Sequence, residues 1–167
     1  MEKKILLTAF RNTSAELLVQ EAGEYQILLL PNDKVKDSER LIDALYKEEF
    51  AYIISFGQRT NIKNKVHIET TARDGEVQIA TNFDCEWLKQ IFENQGVVAK
   101  ISHNAGSSFC NRLYWNGLRY ISEKKLNTQM VFVHIPFEKN IDDFTGFRQQ
   151  IFQVIDVLGE CKFCKDV

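Results

Sequence analysis

Cys110 and His134 are the two residues on which nucleophilic chemistry can be built. The run Ser102-His103-Asn104-Ala105-Gly106-Ser107-Ser108-Phe109-Cys110-Asn111 puts a cysteine directly after turn and cap residues, where an apolar helical pattern begins. A thiol in the first turn of a helix meets unpaired backbone N–H groups and the positive end of the helix dipole. Both favour a thiolate, and the same N–H groups can hold an oxyanion. His134 sits in Phe132-Val133-His134-Ile135-Pro136, at the end of a separate apolar run. A cysteine nucleophile beside an imidazole base is a pair suited to acyl transfer. The bland alternatives are ordinary: cysteine is among the most buried residue types, and a strand-end histidine often just bonds a carbonyl. Position alone leaves Cys110 evenly balanced between the two.

Other polar residues are weaker. Gln58 follows Gly57 and can bond an amide-bearing ligand or serve only the turn. Phe10 suits a pocket wall or plain core. His67 reads as part of a hairpin and His103 as leading into the cysteine turn. Both are taken as structural or solvent-facing, with His103 as reserve base. Cys161 and Cys164 form a C-x-x-C pair with no second ligand pair and no strand-to-helix setting, so metal or redox chemistry is not expected of them.

The elements that must carry these residues alternate. Strand-like runs occur at 4–10, 25–31, 51–56 (stopped by Gly57), 97–102 and 130–135 (stopped by Pro136). Helical patterns lie between them at 13–21, 37–49, after Asp84, and at 109–122. A last amphipathic stripe joins Phe144, Phe147, Ile151, Val154, Ile155 and Leu158. Segments 65–70 and 76–80 flank Asp74-Gly75, a hairpin signal and the expected source of one antiparallel strand. The expectation is an α/β fold, a three-layer α/β/α sandwich with a mixed, mostly parallel sheet, in one domain spanning 1–167. Ligands of such sheets lie beyond the carboxyl ends of the strands, where Cys110 and His134 are expected to converge from different units.

A net charge of −2 argues against a nucleic-acid or anionic-membrane footprint. The longest apolar runs are too short to span a bilayer or form a signal-peptide core, so a cytoplasmic location with free thiols is expected.

Four segments, in order, are similar to pyroglutamyl peptidase I. They are 1–10 (the opening strand), Phe56-Gly57-Gln58, the stretch from Asn104 to Asn111 with its Cys-Asn pair, and the His134-Ile135-Pro136 run. The resemblance implies a cysteine peptidase removing N-terminal pyroglutamate through a thioester. It assigns Cys110 as nucleophile, His134 as general base, and Phe10, Gln58 and Phe109 as substrate contacts. It implies a peptide or small amide substrate, no metal or organic cofactor, and a homo-oligomer. The chain departs from the family where a Glu-Arg-Val-Ala-x-Asn motif is expected. Asn64 aligns with the glutamate and Glu69 with the asparagine. Asn64 is therefore expected as the third catalytic group, with Glu69 as the alternative, because an asparagine can orient an imidazole. A second phenylalanine in the first loop is missing, and the one before the nucleophile is shifted to Phe109. Two other readings stay open: an inactive relative binding a small cyclic amide, and an amidase acting on a different acyl group.

Overall fold

The computed structural model describes residues 2–160. Among these, strands β1 (Ile5–Phe10), β2 (Gln26–Leu30), β3 (Tyr52–Arg59), β4 (Lys65–Glu69), β7 (Val98–Ser102) and β8 (Gln129–Pro136) form one sheet in the order β2-β1-β3-β8-β4-β7. Strands β5 (Thr71–Asp74) and β6 (Val77–Ala80) form a separate antiparallel ribbon. The helices are α1 (Ser14–Val19), α2 (Lys34–Lys47), α3 (Cys85–Asn94), α4 (Phe109–Glu123) and α5 (Phe144–Glu160).

The central strands β1, β3 and β8 are apolar at nearly every position because both their faces are covered. Alternation decides which helix meets which side chain. Ile5, Leu7, Ala9, Ile54, Val131 and Val133 pack under α1, α3 and α5. Leu6, Phe10, Ile53, Met130 and Phe132 pack under α2 and α4. Thr8 donates to Ser55 at 2.7 Å, which satisfies the buried hydroxyls between these layers. The two cores make the α/β/α sandwich.

Helix ends follow from the sequence. Asp33 accepts from the N–H groups of Val35 and Lys36 at the start of α2, and Asp84 accepts from Trp87 N–H at the start of α3. α5 buries Phe147, Ile151, Val154, Ile155 and Leu158. At roughly 1.5–3 kcal/mol per buried apolar side chain, that stripe outweighs any cap worth about 1 kcal/mol.

Several expectations need correction. The sheet is mixed, but the hairpin is not the cause: β5–β6 lies outside it. β4 itself runs antiparallel to β8 and parallel to β7. Gly57 does not stop β3, and Pro136 is the last residue of β8 rather than a residue beyond it; the two strands pair in parallel from Tyr52↔Gln129 to Arg59↔Pro136. Tyr46 of α2 is 81% exposed, while Leu41 and Leu45 of the same helix are buried. Cys161 and Cys164 lie outside the described residues.

Candidate active site

Gly57 and His134 are register partners on adjacent strands, so their side-chain directions point to the same face, toward α4. Gly57 has no side chain there, and the vacant volume is taken by sulfur. A Cβ built on Gly57 would stand 2.7 Å from Cys110 Sγ and 2.8 Å from Phe132 Cζ. The thiol therefore rests on the β3 backbone beside the strand that carries His134. Cys110 and His134 line one cavity of about 280 Å³ with Gln58, Arg59, Ala105, Gly106, Ser108 and Phe137.

Cys110 reaches this place by an unexpected route. β7 runs antiparallel to β8, through β4, so its carboxyl end lies level with Glu69 and Phe132 rather than at the edge shared by β3 and β8. Residues 103–108 climb back to that edge before α4 begins. Asn104 Oδ1 accepts from Gly106 N–H at 3.0 Å, and Gly106 has φ +88°, a conformation that favours glycine.

The start of α4 is open. Ser108 occupies the N-cap position but makes no side-chain cap, unlike Asp33 and Asp84. The first turn therefore has no side-chain cap, and the Cys110 thiol lies against its own backbone N–H. The helix terminus does not make a standing thiolate, however. Burial pushes the Cys110 thiol up to about 12, against the lowering effect of its own backbone N–H; Glu69 raises it further and Arg59 opposes that more weakly.

His134 is buried, and its Nδ1 donates to Glu69 Oε1 at 2.8 Å. That leaves Nε2 as the free ring nitrogen. Glu69 is fully buried, and its Oε1 also accepts from Arg59 Nη1 at 2.9 Å. Arg59 Nη1 reaches Asn104 O at 3.0 Å as well, while Glu69 Oε2 is buried with no partner.

Asn64, the first expectation for the third group, is not at this site. It holds φ +51° in the turn before β4, where Nδ2 donates to Asp142 Oδ2 at 2.8 Å and Oδ1 accepts from Asp142 N–H at 2.9 Å. Asparagine tolerates that left-handed backbone, and its side chain is spent on the segment before α5. The alternative, Glu69, is the residue brought to His134.

The substrate-contact candidates divide. Gln58 lies at the cavity rim, and its Oε1 accepts from Ser14 N–H at the start of α1 at 3.0 Å. The amide NH₂ is left to donate. Phe10 is buried, 6.5 Å from Phe132 between ring centroids, and does not line the cavity. Phe109 packs against the α2–α4 core with Lys34 over its ring, and it does not line the cavity.

Sequence reading missed Arg59, His67 and Asn111. His67 is not in the hairpin; it is the β4 register partner of His134, and both its ring nitrogens are buried without a partner. Burial, then Arg59, lowers its pKa. The signal was available: alternate strand residues share a face, so His67 and Glu69 had to point together. Asn111 bonds the Arg73 backbone twice, donating to its carbonyl and accepting from its N–H, both at 2.8 Å. His103 stands at 2.6 Å from Thr70 Oγ1, away from the cavity lining. Among the described residues no group of three or more His, Cys, Asp or Glu is placed to hold a metal ion, and no helix is long and apolar enough to cross a membrane.

Comparison with known proteins gives a consistent result. The family model for pyroglutamyl peptidase matches residues 58–147. The pyrrolidone-carboxylate peptidase of Oceanobacillus iheyensis is 27% identical over 168 residues, covering 80% of this chain and 84% of that protein. That of Fusobacterium nucleatum is 27% identical over 169 residues, covering 81% and 78%. Among solved structures, pyroglutamyl peptidase I from Bacillus amyloliquefaciens superposes with a TM-score of 0.82 at 19% identity, covering 96% of this chain and 97% of that one. Pyrrolidone carboxyl peptidase from Fervidobacterium islandicum AW-1 also gives 0.82, at 16% identity and 94% and 98% coverage.

Proposed function

We propose, on the premise that the chain belongs to the pyroglutamyl peptidase family, that it hydrolyses the bond following an N-terminal pyroglutamyl residue, with Cys110 as nucleophile, His134 as base and Glu69 as the group that orients His134. The observation that carries this reading is the shared cavity of Cys110 and His134, with Glu69 behind the imidazole.

The geometry supports the following steps. A lactam ring enters the cavity, and the free NH₂ of Gln58 donates to its carbonyl. Cys110 Sγ forms a bond to the pyroglutamyl carbonyl carbon while His134 Nε2 takes the thiol proton. The thiol's high pKa makes this general-base step necessary, because no thiolate waits at neutral pH. First-turn N–H groups of α4 hold the oxyanion. His134 then protonates the departing amine, the C–N bond breaks, and a thioester remains. Water, deprotonated by His134, hydrolyses it and restores the thiol. Glu69 fixes the Nδ1–H tautomer and supports the imidazolium.

The test is release of a fluorophore from a pyroglutamyl amide by the parent, Cys110→Ala and Asn64→Ala. Turnover by the parent, its loss in Cys110→Ala and its retention in Asn64→Ala are expected. The raised thiol favours one second reading, an inactive relative that binds a small cyclic amide. Saturable binding of the amide by the parent without release would establish that instead.

A further inference from the structure

Glu69 poses a physical problem that its bond to His134 does not solve. A carboxylate with no solvent exposure is costly to keep ionised and takes up a proton unless charge and hydrogen bonds compensate. One of its oxygens, Oε2, has no partner at all. Its other oxygen serves both His134 and Arg59. Among the described residues, Arg59 is the only Lys or Arg side chain within ion-pair distance of it. The remaining ionisable neighbours are Cys110 and Tyr114 on α4, Cys85 on α3 and His67 on β4, while Asp37 of α2 acts on Cys110. None of these supplies a permanent positive charge.

We infer that Arg59 is a positioning residue that keeps Glu69 ionised, and through it keeps the proton of His134 on Nδ1. If Glu69 were a neutral acid, its O–H would donate to Nδ1, the imidazole proton would move to Nε2, and the face toward Cys110 would hold a donor instead of a base. The same guanidinium nitrogen also donates to Asn104 O, in the segment that leads into α4. Arg59 thus ties the loop carrying the nucleophile to the carboxylate that sets the base. The inference rests on the catalytic reading above, and deepens it by adding the group that sets its ionisation.

The experiment measures two pH profiles for the parent, Arg59→Met, Arg59→Lys, Glu69→Gln and Arg59→Met/Glu69→Gln. One is kcat/KM on a pyroglutamyl amide. The other is the rate of Cys110 alkylation by iodoacetamide, read by mass spectrometry on the Cys110-bearing peptide. Without the guanidinium nothing holds Glu69 ionised against its burial, so the acid limb of each profile moves to higher pH in Arg59→Met. A shift of about 1–3 units is expected for a lost charge at this distance. Added guanidinium moves the limb back, Arg59→Lys shifts it less, and removing Arg59 from Glu69→Gln moves it much less than removing it from the parent. Arg59→Met with lowered activity but parental limbs, or a shift equally large in the Glu69→Gln background, overturns the inference. A parent that turns over no pyroglutamyl amide, yet whose alkylation limb moves in Arg59→Met, rejects the peptidase reading and sustains the role of Arg59.

Discussion

At the scale of single residues, the site depends as much on a missing side chain as on those present. Cys110 Sγ occupies the space where a Cβ at Gly57 would be, 2.7 Å from it, with Phe132 Cε1 closing the other side at 2.9 Å. Gly57 has no positive φ, so only space, not backbone conformation, requires glycine. Gly57→Ala must push the sulfur away or displace the Phe132 ring, which is fully buried and cannot retreat. Overpacking of this kind costs about 1–3 kcal/mol, and displacing a nucleophile by about 1 Å costs about 100-fold in rate. The expected result is a fall of that order in kcat/KM on a pyroglutamyl amide, with a Tm lowered by several degrees. A Gly57→Ala protein with parental kcat/KM would show that the sulfur does not work from this position. The meeting of Cys110 and His134 in one cavity was legible in the sequence because each lies beside a recognisable run. The carboxylate beside His134 was less so. Alignment favoured Asn64, while only strand alternation, which puts Glu69 on the face shared with His67 and His134, spoke for Glu69.

At the scale of elements, α4 is held on the sheet from the end that carries Cys110. Asn111, next to Cys110, meets β5 with paired bonds to the N–H and carbonyl of Arg73, as a strand neighbour would. Further along the helix, Tyr114 donates to the Glu69 carbonyl at 2.8 Å. The ribbon therefore braces the helix that aims Cys110, although it lies outside the main sheet. Asn111→Ala leaves two backbone groups of β5 unpaired, at a cost of about 1–3 kcal/mol. Hydrogen exchange should show the Arg73 amide losing protection first, while β1 and β8 amides stay protected. Unchanged exchange at Arg73 would mean that other contacts hold the ribbon. Apolar runs announced five of the six strands of the main sheet, β4 was read as one side of a hairpin, and period 3.6 announced four of the five described helices clearly. Strand direction was not legible. Nothing in Lys65–Glu69 or Val98–Ser102 distinguishes a strand running up from one running down, since pairing partners are chosen by the rest of the fold.

At the scale of the whole molecule, the two cores on opposite faces of the sheet each enclose or border a thiol, and that gives folding stability an alkaline limit. Cys85, packed in the core under α1, α3 and α5, is pushed up to about 11 by burial, with Asp84 and Glu86 adding to the effect. Cys110, against the opposite core, is pushed up to about 12, also chiefly by burial. In the unfolded chain both thiols titrate near the ordinary value of 9.0. Between that value and the folded ones, the native state holds protons that the unfolded state has released. Stability from these neutral thiols is therefore complete below about pH 9 and is lost as pH rises toward 11. Each contributes a slope of up to about 1.4 kcal/mol per pH unit in that window. Buried Tyr114, also raised by desolvation, adds to the decline only above its own ordinary value of 10.0. Urea midpoints should accordingly be lower at pH 10.5 than at pH 8. The decline should be shallower in Cys85→Ala, and shallower again in Cys85→Ala/Cys110→Ala. The double variant isolates the thiols, because it leaves the tyrosines and lysines in place. An equally steep decline in the double variant would assign the alkaline limit to those groups and remove the thiols from the account.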